Sequence, residues 1–541
     1  MKFCHVLPSV LVTLIVPHSV FGQDNSKEPD AKLFSETGRH RHPIKTSSMD
    51  AQQFFNQGMT LYYGFNHVEA IRSFKKAAAL DPKAAMPHWG IAMALGPNYN
   101  RDIDPVGPER NKAAFEAAQT ALKLAENGPK HELAYIKALM KRYTLDEKAD
   151  KHACEVEYAK AVGEVVKAYP DDLDAATLYV ESLMNLRPWK LWDSKGKPEE
   201  GVAEAVQTLE SILKRDPDHI GANHYYIHAM EASPNPERAL LSAHKLLTAV
   251  PWAGHLVHMP GHIFIHTGDY DLAAKANVLG IKADEEYFRF NPEKGVYRLM
   301  YHNHNWQFLV YAHMCEGNLQ EALSAAKRLT DIIEPELEHM PMMQGFVMET
   351  PKVLLRFHKY EEVLKLPAPS AKQLVRRVFW HYARAVANAA LGKKEDAKKD
   401  AAAFKTIREE IPADFPFGVN PAVKIFDVAA EILAARLADD PKTAIRHWSK
   451  AVELEDGLQY GEPPDWYYPI RESLGQALMQ NRQYAEAEKV FREDLQRNRR
   501  NGRSLYGLRQ ALSGQGKDRE GSLIQQQFEQ TWKSKEKPFG D

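Results

Sequence analysis

Apolar and small residues recur along the chain at helical spacing, in blocks that repeat. Gly58, Leu61, Ala70, Phe74, Ala77 and Pro82 form one such block, and Gly475, Leu478, Ala487 and Phe491 repeat its first four helix-packing positions. Ala444, Trp448 and Ala451 give a third partial copy. Trp306, Leu309, Ala312, Gly317 and Ala322 give a fourth. The spacing predicts pairs of antiparallel helices with small residues where the two approach. Short turns recur between the partners: Gly268–Tyr270, Gly317–Leu319 and His358–Tyr360 occupy equivalent places. No single pair can bury its apolar face alone, so neighbouring pairs must stack. The fold class expected is therefore an all-α solenoid.

On these residues the chain resembles the tetratricopeptide repeat superfamily, over nearly all of residues 50–535. The resemblance implies a right-handed superhelix of about ten to twelve helix pairs. Its concave groove would be lined mainly by the first helix of each pair. A looser resemblance, carried by Gly221–Ser233, Ala253–Tyr270, Tyr301–Leu309 and Asn501–Leu508, points to exported bacterial tetratricopeptide proteins of unassigned activity. It supplies no reaction. The repeat is interrupted at Pro188–Glu200, Phe290–Met300, Ile411–Asn420 and Gly461–Pro464. Such loops can carry function or be tolerated insertions.

The first residues break from the helical pattern. Met1-Lys2, an apolar run from Val6 to Val16, and Val20 and Gly22 ahead of Gln23 read as a secretory signal. The expected organisation is a signal segment at 1–22, a flexible polar leader at 23–48, and N-terminal repeat units at 49–190. Central His-rich units at 191–345, C-terminal units at 346–535 and a tail at 536–541 follow. The implied location is periplasmic or secreted. No second apolar run is long enough to span a membrane. Charge is balanced, 70 basic against 72 acidic side chains, which disfavours a nucleic-acid partner. Three cysteines exclude a disulfide scaffold, and Cys154 and Cys315 remain after signal removal. Arg497, Arg499, Arg500, Arg503 and Arg509 read as a solvated basic face, and His40 and His42 as part of the solvated leader.

The histidines change the picture. Of 23, eleven fall between His219 and His313. His224 and His228 stand at the fifth and ninth places of one repeat unit, and His258 and His262 at the same places of the next. Residues four apart share a helix face, so each pair has metal-ligand spacing. His255 lies one turn before His258, His266 one turn after His262, and His304 near the start of the third unit. Glu231 follows His228 by three. His224, His228, His255, His258, His262 and His304 are the candidate metal ligands. Imidazole suits copper, zinc or iron. Nearby Met300, Met314, Met340, Met342, Met343 and Met348 could add thioethers or merely fill gaps.

The expected function is an exported binding scaffold whose groove holds a transition metal, or a ligand through it. One alternative is a metal-dependent enzyme with Glu231 as acid–base and a metal-bound water as nucleophile. Another is a metal-free scaffold for a protein, peptide or small molecule. Lys352, at the ninth place of a later unit, is the lone residue of the kind that clamps peptide carboxylates in that superfamily.

Overall fold

A computed structural model describes residues 31–34, 38–100, 105–292, 295–534 and 538–539. The signal-like segment, residues 1–22, lies outside them. The described residues form 25 α-helices, and the only paired strands are Pro416–Phe417 and Asn420–Pro421. The consecutive Gly254–His258 and Pro260–Thr267 helices act as one kinked helix, because Pro260 lacks the amide hydrogen that would continue the ladder. Counted so, the chain makes twelve successive helix pairs, from Met49–Tyr63 with His67–Leu80 to Gly502–Gly514 with Asp518–Thr531. It is an all-α, tetratricopeptide-like helical repeat. No helix among the described residues is long and apolar enough to cross a membrane.

The repeat is built on glycine facing phenylalanine. A Cβ at Gly58 would lie 2.4 Å from the Phe74 ring, and one at Gly90 2.7 Å from it. At the other end of the solenoid, Gly475 and Gly507 flank Phe491 in the same way, at 2.5 and 2.2 Å. In each case a ring from the second helix fills the space that two first helices leave open. The turns match as the sequence indicates: Gly268, Gly317 and His358 all have left-handed φ, between 58° and 80°. That conformation ends a helix by redirecting the chain.

The superhelix winds tightly enough for its turns to touch. Tyr63, at the end of the first helix, packs on Gly221 of the fifth pair, and Gly64 faces Leu256 of the sixth. Farther along, Tyr270 donates a hydrogen bond to the Arg499 carbonyl, and Arg500 pairs with Asp269 at 2.7 Å. Arg499 pairs with Glu237, Arg497 with Asp456, and Arg503 is buried against the Arg356 and Pro538 carbonyls. Arg497, Arg500 and Arg509 are exposed, as expected of a solvated face, while Arg499 and Arg500 also tie two turns together and Arg503 is buried.

The leader also departs from expectation. Phe34 stacks on Trp252 with ring centroids 4.4 Å apart, and Ala31 is buried. His42 is buried and donates from Nδ1 to Asp174 at 2.8 Å. Thr46 and Ser47 bond Asp81, and the Lys45 amide donates to Glu132. These polar residues are fixed by specific carboxylates on the repeat body, which composition alone does not disclose.

Candidate metal centre

Two tri-histidine groups form where the fifth, sixth and seventh pairs meet. His224 and His228 project from the Ile220–Glu231 helix and are joined by His255 from the next first helix. His258 and His262 project from either side of the Pro260 kink and are joined by His304 from the His302–Glu316 helix. Within each group the three ligand nitrogens lie within 4.8 Å of one another. Five of the six imidazoles are at most 3% exposed, and His304 is half-buried.

The outer nitrogens are mostly committed. His224 Nδ1 donates to the Tyr63 carbonyl at 2.5 Å. His228 Nδ1 donates to Glu231 Oε1 at 3.0 Å, and His262 Nδ1 to Glu231 Oε2 at 2.5 Å. His258 Nδ1 faces Asn277 Oδ1 at 2.8 Å, and Asn277 Nδ2 donates to the Ala273 carbonyl, which fixes the amide's orientation. Gly261 leaves room for this: a Cβ there would lie 2.9 Å from Asn277 Nδ2. In four imidazoles the partner is an acceptor, so Nδ1 carries a proton and Nε2 is the atom turned to the other rings.

The inner nitrogens converge. His258 Nε2 and His262 Nε2 are 2.8 Å apart, and His224 Nε2 and His255 Nε2 are 3.2 Å apart. His304 Nε2 lies 3.5 Å from His262 Nε2. His228 Nε2 is buried with no protein hydrogen-bond partner. Burial, with repulsion from neighbouring imidazoles, holds His224, His255 and His258 well below the usual histidine range and His304 down to about 3. Those four rings therefore stay neutral, which is the form that binds a metal.

The enzyme alternative makes Glu231 the acid–base. Instead both its oxygens are occupied by orienting two rings, one from each group. Burial alone would raise its carboxyl, but His228 and His262 hold it at about 2. It is a positioning residue. The winding of the solenoid also encloses the histidines. Phe65 from the first pair stacks on His228 and His255. Trp189, in the Pro188–Glu200 insertion, has φ 60° and stacks on Tyr99, and both rings pack on His228. Asn100 bridges Trp189 Nε1 to Tyr301 OH, and Tyr301 packs edge-on against His255.

Other sequence candidates lie elsewhere. His266 bonds Tyr460 and Glu462 in the Gly461–Pro464 loop region. His302 pairs with Asp284 and accepts from Trp306. Met340, Met342 and Met343 pack with Leu329 and Ile333 in a satellite core, while Met314 and Met348 belong to the main core. Cys154 and Cys315 are unpaired, and burial pushes the Cys315 thiol up to about 12. Lys352 is buried against Glu349 at 2.7 Å. Tyr63, Phe65, Asn277 and Tyr301 escaped sequence reading: the winding brings Tyr63 and Phe65 from the first pair, while Asn277 and Tyr301 reach the histidines from within the sixth pair and from the start of the seventh.

No protein-family model matches the sequence, and no curated protein does. Among solved structures, the human IFIT1 dimer with m7Gppp-AAAA aligns over 82% of this chain and 90% of that one, at 13% identity and a TM-score of 0.34. Yeast Tom70 aligns over 90% and 93%, at 13% identity and a TM-score of 0.29. The APC/C hetero-tetramer Cut9–Hcn1 aligns over 92% and 78%, at 12% identity and a TM-score of 0.30. These likenesses are distant, and the helical-repeat assignment rests on this chain's own twelve pairs.

Proposed function

We propose that this protein is an exported helical-repeat scaffold that encloses a histidine-coordinated transition-metal centre. One observation carries the reading: His258 and His262 hold buried Nε2 atoms 2.8 Å apart, with both outer nitrogens held as donors. Two lone pairs at that distance repel, and a shared proton or a metal cation between them relieves the repulsion. Leaving a buried polar atom unmatched costs about 1–3 kcal/mol, and this cluster carries two, His228 Nε2 and His255 Nδ1. Acceptors on the outer imidazole nitrogen are also what metal-binding histidines require. Export is supported by the Met1–Gln23 pattern alone, and sequencing the amino terminus of secreted protein tests it.

The test of the centre is the variant His228→Ala/His262→Ala with Glu231→Gln added, so that no buried carboxylate is orphaned. The expected result is loss of stoichiometric metal with the helical circular dichroism retained. Full retention of metal by a folded variant would overturn the reading.

A further inference from the structure

We propose that the centre holds two copper ions, one in each imidazole triad, and that the reduced pair binds dioxygen between them. This rests on the metal-centre reading and extends it.

The two triads are copies of one construction. Each takes an i, i+4 pair from one first helix and a third histidine from the next. Each is walled by one phenylalanine. Phe65 lies 4.6, 5.7 and 5.2 Å from the His224, His228 and His255 rings. Phe308 lies 5.3, 4.9 and 5.7 Å from those of His258, His262 and His304. The repeat thus generates two equivalent three-nitrogen sites rather than one six-nitrogen site. Glu231 ties them together with one oxygen on each. The His228 and His262 rings are 5.9 Å apart, which keeps the triads adjacent.

Charge selects the metal. An imidazole bound to a metal is a neutral ligand, and the Glu231 carboxylate, which accepts from one ring of each triad, supplies one negative charge. Two divalent ions would leave a net charge of about +3 in an enclosed, aromatic-walled site, at a large desolvation cost. Two monovalent ions leave about +1 by the same count. Among the metals that imidazole suits, copper has the stable monovalent state. Three ligands leave each ion an open position.

Dioxygen meets these requirements as reactant. It is small and uncharged, so it can enter a buried site without a desolvation cost. Each cuprous ion gives up one electron, and the two electrons reduce dioxygen to a bridging peroxide dianion. No proton or outside reductant is needed, and the net charge of the site is unchanged.

The experiment loads the untagged metal-free protein anaerobically with cuprous ion and then admits dioxygen. The expected uptake is about two coppers per chain and one dioxygen per copper pair. An intense near-ultraviolet charge-transfer band should appear, with no electron paramagnetic resonance signal because the cupric spins couple. His255→Ala and His304→Ala should each retain about one copper, lose the band and show an isolated cupric signal. His304 is half-buried, so its variant decides the matter if the other fails to fold. Saturation at one copper, loss of all copper in a folded single variant, or no dioxygen uptake by the loaded protein would each overturn the proposal. The first of these leaves the metal-centre reading standing. A protein that binds no transition metal sinks both.

Discussion

The carbonyl of Tyr63 accepts a hydrogen bond from His224 Nδ1 at 2.5 Å, across 161 residues of sequence. The first helix pair therefore orients a ring of the fifth, and closure of the superhelix is part of the proposed metal centre. Phe65, two residues on, stands at left-handed φ and covers the first triad. Replacing it with alanine should cost about 3–5 kcal/mol of stability and weaken metal binding at the His224 triad. Chemical denaturation, followed by metal competition on the folded fraction, reads both. Loss of stability with unchanged affinity at that triad would mean the ring is core packing only.

Glu231 orients one ring of each triad. In Glu231→Gln a single carbonyl oxygen remains to accept, and the amide NH2 opposes the second imidazole N–H. One ring must then turn or change tautomer. Metal affinity should fall by about 10- to 100-fold, the usual scale for a lost outer partner, with helicity preserved. A competition titration against a chelator measures it, and unchanged affinity would remove Glu231 from the account.

The metal-free protein should lose stability on acidification. His224, His255, His258 and His304 have lowered folded values, first from burial and then from mutual repulsion. The unfolded chain takes up protons that the folded one refuses. Their contribution is complete above about pH 6.5 and fades as pH falls toward 3, by about 1.4 kcal/mol per group per pH unit. His42 and His266, whose values are raised despite burial by Asp174 and Glu462 respectively, act in the opposite sense but are fewer. The thermal midpoint of the metal-free protein should therefore drop between about pH 7.5 and about pH 5.5. A flat profile would show that the rings are not held neutral.

The glycine–phenylalanine contact predicts a repeat-wide response. Gly58→Ala drives a methyl into the Phe74 ring and should cost about 1–3 kcal/mol. Gly475→Ala should do the same at Phe491. Phe74→Leu, combined with Gly58→Ala, should recover part of the loss. Equal stability of Gly58→Ala and the parent, by urea denaturation, would contradict this packing.

The repeat was legible because it depends on local spacing: Gly58, Phe74, Gly475 and Phe491 sit at positions that any helix pair must fill. The imidazole pairs were legible for the same reason, since equal places in adjacent units face alike. What stayed hidden depends on long-range winding. Tyr63 and Phe65 reach the centre only because turns of the superhelix touch. Glu231 read as an available acid because nothing in sequence shows that two N–H groups saturate it. The leader read as solvated because its polar residues find buried partners such as Asp174 and Asp81, while Arg499 and Arg500 read as a free patch for want of Glu237 and Asp269.

Elemental analysis of the mature protein, purified without a histidine tag and after mild chelation, tests the central claim most directly. The account predicts stoichiometric transition metal, with copper at about two per chain. A protein that is metal-free as isolated, and that binds no added copper, zinc or iron more tightly than the micromolar range, would contradict it.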